Sequence, residues 1–119
     1  MAIYKMGVVE TKFADLIWER EPIGSGELVR VAQKELGWKK STTYTVLRKL
    51  CEKGIFQNEN SMVTSLLARD QYFGMQCKQF VTENFDGALP KFLAAFASEG
   101  KISKKDLAAL KRFIDEQEG

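Results

Sequence analysis

The chain has no histidine, which removes the commonest general base, the commonest metal ligand and most hydrolytic triads at once. It has no glycine-rich phosphate loop, no paired-cysteine motif and no HExxH element. No grouping of Lys, Asp, Glu and Tyr suggests catalysis, so neither an enzyme nor a cofactor nor a bound metal is expected. Long apolar runs are missing too: nothing approaches the ~18 consecutive residues of a membrane span, and the N-terminus has no signal-peptide core. A soluble, cytoplasmic protein without membrane insertion is expected. Cysteine is scarce, with Cys51 and Cys77 in two different predicted helices, and ordinary reduced thiols are the expected state of both. A strong overall charge is also lacking, since 18 cations face 16 anions in 119 residues. That length suits one domain or two small ones, with enough apolar content to fold without staples.

Against this background one stretch stands out, Lys39 to Gly54, KKSTTYTVLRKLCEKG. At helical spacing Thr43, Val46, Leu47 and Leu50 form an apolar face. Thr42, Tyr44, Thr45, Arg48 and Lys49 point elsewhere. Five cations (Lys39, Lys40, Arg48, Lys49 and Lys53) stand against Glu52, a local charge of +4 in a chain of net +2. Gly54 ends the helix where a positive φ is wanted. Such a helix can bury one side and lay the other in a DNA major groove, with Arg and Lys meeting phosphate or guanine and Thr and Tyr reaching base edges. A merely solvated basic helix is the competing reading, and the flanking elements argue against it.

Met1–Val8 is weakly patterned and expected to fray, with Val8 and Val9 able to add a short strand. A first helix is predicted from about Glu10 to Arg20, where Val9, Phe13, Leu16 and Ile17 recur at helical spacing beside Trp18. Pro22 and Gly24 break it. Ser25 suits the N-cap of a second helix, with Glu27 in the first turn and Leu28, Val29, Ala32 and Leu36 as the buried stripe. Gly37 closes that helix, and Trp38 turns into the core. Two short helices joined by a glycine turn, the second basic, form a helix-turn-helix pattern. Ile55-Phe56 and Met62–Leu66 then read as two strands around the turn cluster Asn58–Ser61, the hairpin wing of a winged helix. The wing tip carries Glu59 and two asparagines, so it adds little phosphate contact.

Three further helices are predicted over Arg69–Asn84, Ala88–Ala97 and Ser103–Glu118, with breaks at Asp86-Gly87 and Glu99-Gly100. Their apolar stripes are Phe73, Cys77, Phe80 and Val81; Leu89, Phe92, Leu93 and Phe96; and Leu107, Leu110 and Ile114 with Phe113 alongside. Ser103 and Asp106 resemble a capping box. Three short helices cannot bury so much Phe and Leu alone, and pairing with a second copy is the simplest remedy. The expected dimer surface comprises Phe73, Cys77, Phe80, Leu89, Phe92, Leu93, Phe96, Leu107, Leu110 and Ile114. An ordinary core for a single domain is the competing reading. The predicted fold is mostly α with a small β-hairpin: a winged helix-turn-helix domain over 1–68, then a helical dimerisation region over 69–119.

With those pieces in place the chain resembles the penicillinase-repressor family, the BlaI/MecI/CopY type of bacterial winged-helix regulators. The anchors are Glu10 with Trp18, Glu27-Leu28, the run Thr42 to Leu50 followed by Lys53-Gly54, then Phe85-Asp86-Gly87 and Ile102-Ser103 through Leu107 and Leu110. The resemblance implies a homodimeric repressor that reads two halves of a palindromic operator on double-stranded DNA. By position, Ser41, Thr42, Tyr44 and Thr45 occupy the base-reading places, and Lys49 stands where an arginine usually holds the backbone. Lys39, Lys40 and Arg48 complete the expected DNA-binding set. Three departures matter. The wing is short and lacks the family's arginine and aromatic residue. The chain ends in Asp115-Glu116-Gln117-Glu118-Gly119, without the cysteine motif of the copper-responsive branch. The proteolysed branch, whose implied partner is a membrane sensor-protease, is cut before a phenylalanine; Phe96 matches that place, but Ala95 replaces the asparagine before it. A winged-helix protein-interaction module without specific DNA binding is the second reading, kept open by the modest net charge and the acidic wing tip.

Overall fold

The basic stretch folds as an α-helix whose narrow apolar side is driven inward, and the neighbouring elements are arranged to receive it. The computed structural model describes residues 5–118. The elements run α1 (Val8–Arg20), β1 (Ile23–Gly24), α2 (Ser25–Leu36), α3 (Lys40–Glu52), β2 (Phe56–Glu59), β3 (Met62–Ser65), α4 (Arg69–Asn84), α5 (Leu89–Ser98) and α6 (Lys104–Glu118). The chain divides into two compact units, Met1–Gln79 and Phe80–Gly119, with the division falling inside α4. The first unit is a winged helix and the second is helical.

The N-terminal expectation needs correction. Met1–Tyr4 lie outside the described residues, but Met6 is buried and Val8 and Val9 open α1 rather than adding a strand. Gly7 takes the extended N-cap backbone, and its N–H donates to Glu10 Oε1 at 3.0 Å. This satisfies an amide near the helix start and fixes the entry two residues before the predicted one. Val9 is 55% exposed and does not belong to the buried stripe, which is Phe13, Ala14 and Ile17. The helix ends where Glu21 turns extended before Pro22.

A strand not foreseen follows at once. Ile23-Gly24 pairs antiparallel with β3 (Ile23 opposite Val63, Gly24 opposite Met62), giving the sheet order β1-β3-β2. Two residues are too short to show an alternating pattern. The same geometry moves the start of α2, because Gly24 holds the N-cap and Ser25 is the first helical residue, its N–H donating to Ser61 O at 2.8 Å. Along α2, Leu28 and Ala32 are buried, and Val31 rather than Val29 packs against the core. Gly37 at φ 68 closes the helix as predicted, the left-handed C-cap reversing the chain into α3. On the wing, β2 runs on through Asn58 and Glu59, so the reversal is only Asn60 and Ser61 at φ 53 and 61. That is a two-residue type I′ hairpin, tighter than the predicted turn cluster.

The core of the first unit gathers Phe13 and Ile17 from α1, Leu28 from α2, Thr43, Leu47 and Leu50 from α3, Ile55, Phe56 and Val63 from the hairpin region, and Tyr72 from α4. Burial of each large aliphatic side chain contributes about 1.5–3 kcal/mol. Trp18 lies at their rim, its ring 5.2 Å from Phe56 and 6.1 Å from Tyr72, with its Nε1–H donating to Leu67 O at 3.0 Å. Arg69 fastens the start of α4, its Nε 2.8 Å from Asp15 and its guanidinium 4.8 Å from the Phe73 ring centre. Glu21 accepts both the N–H and the hydroxyl of Ser65, at 2.8 Å each, tying the end of α1 to β3.

In the second unit Phe80, Phe85, Phe92 and Phe96 form a chain of ring contacts with centres 5.7–6.4 Å apart. Asp86 and Gly87, at φ 53 and 75, make the break that sequence reading placed there. The Ser103 hydroxyl accepts the Asp106 N–H at 3.0 Å, as its capping pattern predicts. No residue of α5 is buried.

Two stability measurements follow. Tyr72→Phe removes the acceptor for the Met6 N–H, a buried bond of 2.8 Å. It should lower unfolding free energy by about 1–3 kcal/mol in urea titrations, because the amide is left without a partner. Gly74 lies inside α4 and a Cβ there would meet nothing within 4 Å, so Gly74→Ala should stabilise by about 1 kcal/mol.

Candidate nucleic-acid interface

Helix α3 is the element on which the expected DNA-binding residues converge. Its N-cap, Lys39, has extended backbone, and no side chain caps the first turn. Thr43 points inward and is fully buried, its hydroxyl donating to Lys39 O at 3.1 Å, so a polar side chain joins the core without an unmet hydrogen bond. With Thr43, Leu47 and Leu50 turned in, Lys39, Lys40, Ser41, Thr42, Thr45, Arg48 and Lys49 are all exposed. Gly54 takes φ 80 directly beyond the helix end, as predicted.

The expected site residues do not share one environment. Among the described residues, Lys39, Lys40 and Arg48 meet no carboxylate. Lys49 does: its Nζ lies 3.6 Å from Glu10 Oε2, so its charge is shared with α1. Tyr44 is half-buried, and its hydroxyl donates to Ser25 Oγ at 3.3 Å across to the start of α2. The Thr45 hydroxyl donates to Ser41 O at 2.9 Å and keeps its lone pairs for an incoming donor.

Beside the helix, Tyr44, Leu47, Arg48 and Cys51 meet Asn58 of β2 around a pocket of about 200 Å³. Burial, helped by neighbouring Glu52, pushes the Cys51 thiol above its ordinary value. The thiol is therefore favoured in its neutral form, the less nucleophilic one. Among the described residues no three His, Cys, Asp or Glu side chains gather as a metal ligand set, and no helix is long and apolar enough to cross a membrane. Among the described residues the outward face of α3 thus carries three cations that meet no carboxylate beside a row of hydroxyls, side-chain types that can meet phosphates and base edges.

The residues expected at a dimer surface fall in three settings. Phe80, Leu89, Phe96, Leu107 and Ile114 are exposed, Phe96 by 61%. Phe92, Leu93 and Leu110 are half-buried in the second unit. Phe73 packs against the core of the first unit, beside Trp18 and Tyr72, while Cys77 is exposed on α4.

Sequence reading missed two residues at this site. Asn58 joins the pocket only because β2 extends past Phe56, and its neighbours in sequence gave a turn signal instead. Glu10 meets Lys49 from 39 positions away, and no local pattern encodes that approach.

The signature of the penicillinase repressor family matches residues 6–116. The penicillinase repressor of Bacillus licheniformis is 20% identical over 111 residues, covering 90% of this chain and 87% of that protein. The solution structure of the monomeric form of Bacillus licheniformis BlaI in complex with the blaP half-operator superposes with a TM-score of 0.51 at 23% identity. That match covers 60% of this chain and 92% of the BlaI chain, and it establishes a shared fold. With the signature spanning both units, the chain belongs to the penicillinase repressor family.

Proposed function

We propose that this protein is a DNA-binding transcriptional repressor that occupies a palindromic operator as a homodimer. The observation that carries the reading is the outward face of α3, where Lys39, Lys40 and Arg48 have no acidic partner among the described residues and surround exposed Ser41, Thr42 and Thr45. Family membership supports it, as does a relative described as a repressor and a fold neighbour solved on a half-operator. In this reading residues 1–68 contact DNA. Lys39, Lys40 and Arg48 meet phosphate or guanine, Ser41, Thr42, Tyr44 and Thr45 lie toward base edges, and Lys49 lies toward the backbone. Residues 69–119 hold two copies together through the exposed Phe80, Leu89, Phe96, Leu107 and Ile114. Release by a sensor-protease would require α5 to open first. The bond before Phe96 lies within the helix, and Ala95 O already accepts the Ser98 hydroxyl at 2.7 Å.

Selection from a pool of random duplexes should return a palindrome with half-sites spaced by whole helical turns. A pool that shows no enrichment would instead favour a protein-interaction module. Thr42→Val, an exposed substitution with little effect on stability, should relax preference at one base position by about 1–3 kcal/mol. Arg48→Ala should weaken binding to all sequences and flatten the dependence of log K on log salt by about 0.9.

The dimer has its own test. Phe96→Asp and Leu107→Asp place charge on exposed positions, so each protomer should keep its helical circular dichroism. Sedimentation equilibrium at micromolar concentration should show a dimer for the unaltered protein and a monomer for the double variant.

A further inference from the structure

We infer that Glu10 restrains DNA binding by holding Lys49 against α1, which withdraws one charge from the recognition helix. The inference rests on the DNA-binding reading above and concerns how strongly that surface grips any duplex. Glu10 is a positioning residue, acting through Lys49 rather than on DNA itself.

The geometry pairs Glu10 with Lys49. The Glu10 carboxylate is held in place: Oε1 accepts the Gly7 N–H at 3.0 Å, and Oε2 lies 3.6 Å from Lys49 Nζ. Its side chain is 21% exposed, against 53% for Lys49. A phosphate that approaches the Lys49 end of α3 therefore meets an ammonium already paired with a fixed carboxylate. Affinity for DNA without regard to sequence comes from cations that neutralise phosphates and release condensed counterions. A paired lysine releases less. Lys39, Lys40 and Arg48 carry no such restraint among the described residues, and the hydroxyls of Ser41, Thr42 and Thr45 are untouched by it. Glu10 thus trims the electrostatic part of binding and leaves base reading alone.

The substitution Glu10→Gln removes the charge but keeps an oxygen that can accept the Gly7 N–H, so the start of α1 should stay folded. Binding to a random-sequence duplex should tighten by about two- to fivefold at moderate salt. The slope of log K against log salt should steepen by up to ~0.9. Lysine acetylation footprinting, read by mass spectrometry with and without duplex, reports the site directly. In the unaltered protein DNA should protect Lys39 and Lys40 strongly and Lys49 only in part. In Glu10→Gln all three should be protected. Strong protection of Lys49 in the unaltered protein, or an unchanged salt slope in Glu10→Gln, overturns the inference and leaves the DNA-binding reading standing. Absence of protection at Lys39 and Lys40 in both proteins overturns that reading, and the inference with it.

Discussion

The inward burial of Leu47 and Leu50 is the constraint on which the rest of the first unit depends. Both are sealed from solvent, and both lie on the same narrow side of α3 as Thr43. To cover them the chain must bring α1, α2 and the Ile55-Phe56 corner to one place, and that gathering is the winged helix. Because the buried side is narrow, with Tyr44, Val46 and Cys51 half-buried at its edges, the remaining side chains of α3 face outward. A helix rich in Lys, Arg, Thr and Ser then becomes a displayed surface without any further device. Core and displayed face are two sides of one element, so packing changes beneath it also reorient what it displays.

Much of this was legible in the sequence, for physical reasons that differ by element. Helices α2 to α6 announced themselves through apolar spacing and through Gly37, Gly54 and the Asp86-Gly87 break, where a left-handed backbone demands small or polar residues. The hairpin was visible as a change of period, although β2 ran longer because Asn58 and Glu59 are held by register to Val63 and Met62 rather than by propensity. Most of what could not be read was set by tertiary partners. The start of α1 is a local matter that carries no apolar signal, Gly7 and Glu10 closing its first turn, whereas strand β1 exists because β3 is beside it. Glu10 against Lys49 belongs to the same class, since a pair so distant in sequence leaves no local trace.

The electrostatics reward local bookkeeping over totals. A net charge of +2 hides a segment of +4, and even within that segment the cations are unequal. Arg48 meets no carboxylate among the described residues and lines the pocket shared with Asn58, while Lys49 is drawn toward α1. The wing tip contributes an exposed Glu59, so the hairpin adds no cation beside those of α3 and its N-cap. Cys51, raised by burial, adds a thiol favoured in its neutral form to the same helix. The chemistry of the surface is thus concentrated in about three turns of exposed hydroxyls and cations, from Lys39 to Lys49.

The bond from the Met6 amide to the Tyr72 hydroxyl joins residues 66 positions apart, and it lies buried at the edge of the same core. The winged helix therefore does not end with its wing: the Trp18 ring is flanked by Phe56 and by Tyr72, and Tyr72 comes from the opening turn of α4. A chain cut after β3 would lose both the acceptor of the Met6 N–H and one of the Trp18 ring contacts. The first unit is complete only with the start of the helix that continues into the second.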